Sequence, residues 1–210
     1  MPCFKRLLVS DQQLNVALTK ITGIVLGKLL DNLHWHDYLE HSFELIIQLN
    51  QNFASSINIW KKEVLNFFMG KSFFKMRSCC LEKWKIILPS IMILDTFKTL
   101  TDSLIESSSA YLFKDQGIGE KTLLWKRISF AMLACPQDAF RYHLPDLQKA
   151  LVESFKSFSD DLHAVSFLFL RVLLVKLSPK YTTHFWAVIL SAMVCFKKVN
   201  VDYMFFQCPS

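Results

Sequence analysis

The chain has 210 residues, a net charge of +6, an apolar fraction of 52%, and only 5 Gly and 6 Pro, a composition that suits long helices joined by short turns and excludes a disordered polymer. Its length allows one ordinary domain or a stack of about four or five helical hairpins with a substantial core, and argues against a second full domain. Mean hydropathy is positive, yet no uncharged apolar run reaches the roughly 18 to 20 residues of a membrane-spanning helix, because Tyr181 to Phe196 is short and polar-dotted, Arg171 breaks the run from Val165 to Val175, and Pro89 breaks that from Ile86 to Leu94.

At the N-terminus, Lys5 and Arg6 precede an apolar stretch, Leu7 to Val9, that is too short for a signal-peptide core, so secretion is not expected. Ser10 or Asp11 can cap a first helix. Leu14, Ala17, Leu18, Ile21, Ile24, Val25 and Leu29 follow at spacings of three and four, with Lys28 as the intrusion and an end near residues 30–32. A second helix, about His36 to Asn52, places Leu39, Phe43, Ile46, Ile47 and Phe53 on one side. A third begins near Asn58, carries Trp60, Val64, Leu65, Phe67 and Phe68, and stops at Gly70. Beyond a turn containing Phe73 and Phe74, a fourth segment from Cys79 to about Asp95 holds Leu81, Trp84, Ile87, Leu88, Ile91 and Met92, and Pro89 should kink or split it.

Serines 103 and 107–109 with Gly117 and Gly119 weaken the helical pattern across residues 96–120, which predicts a short helix from Phe97 to Ile105 and then a loop near 106–120. From Glu120 the signal returns, with Leu123, Leu124, Ile128, Phe130, Ala131 and Leu133 in a helix that stops before Pro136. Pro145 fits the first turn of the next helix, where its missing N–H costs nothing. Asp160 or Asp161 caps another, carrying Val165, Leu168, Phe169, Val172, Leu173 and Leu177. Ser178-Pro179 then repeats the cap-plus-proline start and leads to Phe185, Trp186, Val188, Ile189, Ala192 and Met193. The two proline starts lie 34 residues apart, each expected to open a helix of about four turns. The spacing suits an all-α fold of stacked antiparallel helical hairpins of the HEAT or armadillo kind.

Residues that could carry chemistry are sparse. His34, His36 and His41 do not share a helical face, and beyond Asp37 and Glu40 no ligand stands at zinc spacing, so surface histidines are expected and no metal. Cys135 with His143 is the nearest approach to a thiol–imidazole pair and reads as a buried or half-buried thiol. Gly117-Ile118-Gly119 lacks the preceding strand and third glycine of a phosphate loop. No catalytic residue and no cofactor are therefore expected. The cysteines at 3, 79, 80, 135, 195 and 208 include no CxxC pair, which suits reduced thiols in the cytosol. Basic residues are scattered rather than run together, as a solvated face would be, and permit only weak attraction to anionic lipid or nucleic acid. Nineteen Phe with five Trp and five Tyr exceed what a small bundle usually hides, so part of that surface should face a partner or a segment outside this chain. Arg171 interrupts an apolar face; it either snorkels or caps carbonyls of a neighbouring helix, or it contacts an acidic partner.

An ordered series of motifs runs through this pattern. Lys126, Arg127 and Phe130 form a KRL-x-F-like helix; Leu144, Pro145, Leu147, Gln148, Leu151, Glu153 and Ser154 form an LP-x-[IL]-Q-x-x-L-x-[ED]-S segment. Phe167, Phe169, Arg171, Val172, Leu173, Leu174, Lys176, Ser178 and Pro179 form an F-x-F-x-RVLL-x-K-x-SP helix end, followed by Trp186. Upstream, Trp60-Lys61-Lys62, Phe67, Phe73, Phe74, Met76, Cys80, Leu81 and Trp84 fit the same series. From about Trp60 to Val194 the chain resembles the C-terminal region of the Dopey family. With the helical spacing this gives a helical pair over 1–57, where the resemblance is weaker, a family-like helical region over 58–198 with a loop near 106–120, and an irregular tail over 199–210. The ending NVDYMFFQCPS departs from the family, whose C-terminal region continues, and predicts a truncated or alternatively spliced product.

The resemblance further implies a non-catalytic scaffold of endosome-to-Golgi retrograde traffic and Golgi protein transport. Such a protein sits peripherally on Golgi, trans-Golgi network and endosome membranes. Its partners would be an Arf-exchange-factor-related Golgi scaffold, a phospholipid flippase and kinesin. Residues Trp60, Trp84, Lys126, Arg127, Leu144, Pro145, Gln148, Arg171, Ser178, Pro179 and Trp186 would serve structure or interaction. The alternatives are a generic HEAT-like interaction module outside membrane traffic and a nucleic-acid-binding helical protein, which the core-like spacing of the aromatics disfavours.

Overall fold

The computed structural model describes residues 36–52, 57–109, 114–157, 159–187 and 189–191. The first predicted helix, residue Phe53 and the segment 199–210 lie outside them. The described residues are helical, with no strand among them, as the 3.6-residue apolar spacing requires. The chain divides into two compact units, residues 1–91 and 92–210. The boundary expected at 57 lies within the first of these units. Each unit has its own aromatic core.

In the first unit, α1 (His36–Asn52), α2 (Ile57–Met69), a 3-10 turn (Phe73–Lys75) and α3 (Ser78–Ile91) enclose Trp84. The bounds of α1 coincide with those predicted, because Phe43, Ile46 and Ile47 repeat at helical spacing and all three are buried. Phe73 meets the Trp84 ring edge-on at 4.9 Å and 82°, and Phe43 does so at 5.5 Å and 68°. Tilted contacts of this kind set ring edges against ring faces and favour one arrangement over many. Gly70 closes α2 by donating its N–H to the Phe67 carbonyl at 2.9 Å; a Cβ there would stand 3.0 Å from that oxygen, which explains the glycine. On the rim, Lys83 of α3 bridges Glu44 at 2.6 Å and Glu40 at 3.7 Å on α1. Pro89 falls in the last turn of α3, where the missing N–H ends the helix within two residues. The predicted fourth segment is thus split, and Asp95 belongs to the helix that follows.

The second unit comprises α4 (Leu94–Ser109), α5 (Lys114–Ala134), a 3-10 turn (Arg141–His143), α6 (Leu144–Phe155), α7 (Asp160–Lys176), a one-turn α8 (Pro179–Thr182) and a 3-10 turn (Thr183–Phe185). Helices α4 and α5 form one hairpin and α6 and α7 a second; α4 lies against α6, and α5 against α7. First helices on first and second on second is how stacked helical hairpins pack, since each hairpin can bury its apolar face only on its neighbour. The predicted loop at 106–120 is largely helix, since α4 reaches Ser109 and α5 begins at Lys114. Thr99, Thr101, Ser103 and Ser107 donate their hydroxyls to the carbonyls of Asp95, Phe97, Thr99 and Leu104 at 2.7 to 3.1 Å. Their polar groups are satisfied within the helix rather than by a turn, and burial of Phe97, Leu100 and Leu104 anchors it.

Two further expectations are corrected. Ser159, not Asp160 or Asp161, caps α7: its Oγ accepts the Leu162 N–H at 3.3 Å, and the two aspartates occupy the first turn, where the helix dipole favours them. The proline starts also differ from the expected four-turn helices. Leu144-Pro145 opens 12 residues of helix, whereas the helix opened by Ser178-Pro179 tightens into a 3-10 turn at Thr183–Phe185 before helix resumes at residues 186–187 and 189–191.

Candidate interaction surface

Between the two hairpins the chain turns at Asp138, which adopts a left-handed φ of 59°. An aspartate tolerates this region when its carboxylate finds local donors. Here Oδ1 accepts the Ser178 N–H at 2.8 Å, Oδ2 accepts the Ser178 hydroxyl at 2.7 Å, and the Asp138 N–H donates to the Lys176 carbonyl at 3.1 Å. The inter-hairpin linker is thereby fastened to the end of α7. The two Ser178 bonds hold the Asp138 carboxyl below the usual carboxylate range, with Lys180 and Arg141 adding to the effect. One step along, Phe140 lies face to face with Phe97 of α4 at 3.7 Å, and Leu144 is buried while Pro145 is exposed. The family-like LP start is therefore a packing device: Leu144 anchors, Pro145 begins the turn, and Gln148 is half-buried one turn later.

The second unit's core centres on Trp125 of α5. Its ring lies 4.6 Å from Phe169 of α7, and its Nε1–H donates to Ser154 Oγ of α6 at 2.9 Å. Ser154 in turn donates to the Ala150 carbonyl at 2.8 Å, so the buried indole N–H and the hydroxyl are both satisfied. Because α5 is covered by α4 on one side and α7 on the other, it buries cations too. Arg127 is buried and Lys126 half-buried. Burial pulls the pKa of Arg127 and of Lys121 down, with Glu120 opposing the shift in the first case and Glu153 in the second. The Lys126-Arg127 pair of the motif series is thus divided, with Arg127 in the core and Lys126 at its edge.

Helix α7 places Leu162, Val165, Phe169, Val172 and Leu173 toward the core. Its other side carries Ala164, Leu168, Arg171 and Val175 at i, i+4, i+7 and i+11, flanked by Leu174. Leu168, Leu174 and Val175 are 41%, 45% and 71% exposed. Arg171 is exposed and, among the described residues, has no hydrogen bond or ion pair. No bond from it to a neighbouring helix is seen among the described residues, and the apolar residues one turn away, Leu168, Leu174 and Val175, face outward with it. Trp186 is 49% exposed and Leu190 58%.

The expected site residues do not converge on one place. Trp60 stands in α2, with its side chain outside the described residues, and Trp84 is core to the first unit. Lys126, Arg127, Leu144, Pro145, Gln148, Arg171, Ser178, Pro179 and Trp186 belong to the second. Of these, the structure ties Ser178 to a residue the motif series omits, Asp138; the dipeptide Pro136-Gln137 before it is a turn signal, but nothing local points to Ser178. Among the described residues no three His, Cys, Asp or Glu side chains gather where a metal could be held. No helix among them is long and apolar enough to cross a membrane.

A family model described as DOP1 C-terminal matches residues 2–199. The chain is similar to the Protein DOP1 homolog of Drosophila melanogaster, 32% identical over 143 residues, which is 64% of this chain and 6% of the relative. It is also similar to Protein DOP1B of Xenopus laevis, 30% identical over 154 residues, 72% of this chain and 7% of the relative, and to Protein DOP1B of Mus musculus, 30% over 143 residues, 68% and 6%. The chain thus spans a small fraction of the length of the curated relatives it matches. No solved structure matches it. With that match extending over almost the whole chain, the chain belongs to the Dopey family, in its C-terminal region.

Proposed function

We propose that this chain is a non-catalytic scaffold segment that binds other proteins in endosome-to-Golgi retrograde traffic and Golgi protein transport, peripherally on Golgi, trans-Golgi network and endosome membranes. The observation that carries the binding role is the outward face of α7, where Leu168, Leu174 and Val175 remain exposed on the hairpin stack. Stacked helical hairpins present extended surfaces of this kind to partners, and contiguous exposed apolar groups mark sites of association. Family membership supports the trafficking context. The partners proposed on that basis are an Arf-exchange-factor-related Golgi scaffold, a phospholipid flippase and kinesin.

Quantitative affinity capture with the intact chain tests the reading. Enrichment of these trafficking proteins by the wild-type chain, reduced by Val175→Asp, is the expected result. Recovery of unrelated complexes alone, or enrichment indifferent to Val175→Asp, would overturn it.

A further inference from the structure

Arg171 stands in an apolar setting on its helix. Lys149 pairs with Asp146 at 3.6 Å and Lys156 with Glu153 at 2.7 Å, each on the preceding turn of the same helix, and Lys85 pairs with Glu82 in the same way. Such local pairing is the ordinary fate of a charge on a solvated helix. The neighbours of Arg171 one turn away in either direction are Phe167, Leu168, Leu174 and Val175. No carboxylate is within reach on its own helix, and none reaches it from another among the described residues.

We infer that the exposed face of α7 is a docking surface for an amphipathic helix of another protein that carries a carboxylate within its apolar stripe, with Arg171 as the anchor. The inference deepens the scaffold reading and rests on it only in being a protein-binding face. Three features lead to it. The stripe from Ala164 to Val175 is straight and about three turns long, which at roughly 1.5 Å per residue matches a facing helix of similar length. Its apolar members would gain from being covered, while a guanidinium at its middle would lose hydration unless it met an anion; a carboxylate answers it with two parallel N–H···O bonds. Arginine is also among the residues enriched at the few positions that carry most of an interface's binding energy. An anionic lipid surface fits less well, because Asp160 and Asp161 stand in the first turn of the same helix and a lone arginine is far from a polybasic patch.

The test uses the 210-residue chain against a displayed library of roughly 18-residue amphipathic helices, with the apolar stripe held as Leu, Ile or Phe and its central position randomised. The expected result is enrichment of Asp and Glu over Lys and Arg at that position by about tenfold or more. With Arg171→Glu the preference should invert, with Arg171→Gln it should vanish, and Val175→Asp should abolish binding while the melting curve stays unchanged. Absence of binders, no acidic preference, or a preference that survives Arg171→Glu would overturn the inference. So would binding to phosphatidylcholine vesicles containing roughly 30% phosphatidylserine that Val175→Asp abolishes, or a concentration-dependent dimer that Val175→Asp dissolves, because either assigns the face to another occupant. The library reads this face alone: if capture fails to recover trafficking proteins while the acidic preference stands, the docking surface holds and only the cellular context is wrong.

Discussion

Asp138 and Ser178, 40 positions apart, are joined by two hydrogen bonds that fasten the linker between the hairpins to the end of α7, at 2.8 Å from the Ser178 N–H and 2.7 Å from its hydroxyl. Asp138 also holds a left-handed backbone, with φ of 59°. Asp138→Ala removes both acceptors and leaves alanine at a φ it resists. The denaturation midpoint should fall furthest for Asp138→Ala, less for Asp138→Asn, which keeps one acceptor and tolerates that φ, with Asp138→Gly between them. A different order in urea unfolding would contradict this account.

The pH dependence of the same contact follows in sign. The Asp138 carboxyl is depressed in the folded state from its ordinary value of 3.8, so its contribution is present above that value and is lost as pH falls through the lower folded value. The stability difference between wild type and Asp138→Asn should be constant from pH 7 to 5 and shrink below about 3.8. Urea titrations at pH 7, 5 and 3.5 measure it.

Ser154 is the acceptor for a fully buried indole N–H. Ser154→Ala should cost about 1–3 kcal/mol, the desolvation cost of an orphaned buried donor. Trp125→Phe removes that donor together with ring volume. The double variant should therefore cost less than the two singles combined, a coupling of about 0.5 kcal/mol or more that a double-mutant cycle reads directly.

Gly117 and Gly119 are both exposed in α5, and a Cβ at either would meet nothing within 4 Å. Each Gly→Ala change should raise stability by about 0.5–1 kcal/mol, because alanine loses less backbone entropy on entering a helix. A melting temperature that does not rise would place these residues outside the helix. Gly70→Ala should act oppositely, since the added Cβ would press on the Phe67 carbonyl.

Burial pushes the Cys80 and Cys135 thiols up to about 11, with the neighbouring Cys79 adding to the effect on Cys80 and Lys176 opposing it on Cys135. Cys79 is exposed. Because the thiolate is the reacting species, iodoacetamide at pH 8 should alkylate Cys79 at least tenfold faster, roughly, than Cys80 or Cys135. Peptide mapping over a time course decides it.

Most helices of this chain are legible locally. Apolar residues at three- and four-residue spacing mark 36–52, 57–69 and 160–176 within a residue or two, since burying one side of a helix demands that spacing whatever lies opposite. Gly70, Pro89 and Pro145 act through backbone sterics alone and end or begin helices where expected. The serine- and glycine-rich stretch at 106–120 was misleading because hydroxyls returned to carbonyls of their own helix, and burial of Leu100 and Leu104 outweighed weak propensity.

The candidate surface was half visible. The motif series identifies Arg171, Ser178 and Pro179, and with them the family, because it is a property of residue order. Which way Arg171 points is not: an arginine in the run Phe167 to Val175 reads as an intrusion into a buried face, and only the packing of α7 on α5 and α6 turns Leu168, Leu174 and Val175 outward with it. Likewise, Asp138 gains its partner only when the second hairpin folds back and brings Ser178 to it. By itself the sequence determined an all-α chain of this family, because helical spacing and motif order act within a few turns. Tertiary structure decided the division after Ile91, the Asp138–Ser178 fastening and the exposed α7 stripe, because each depends on which surfaces meet across long separations, and local periodicity does not encode that choice.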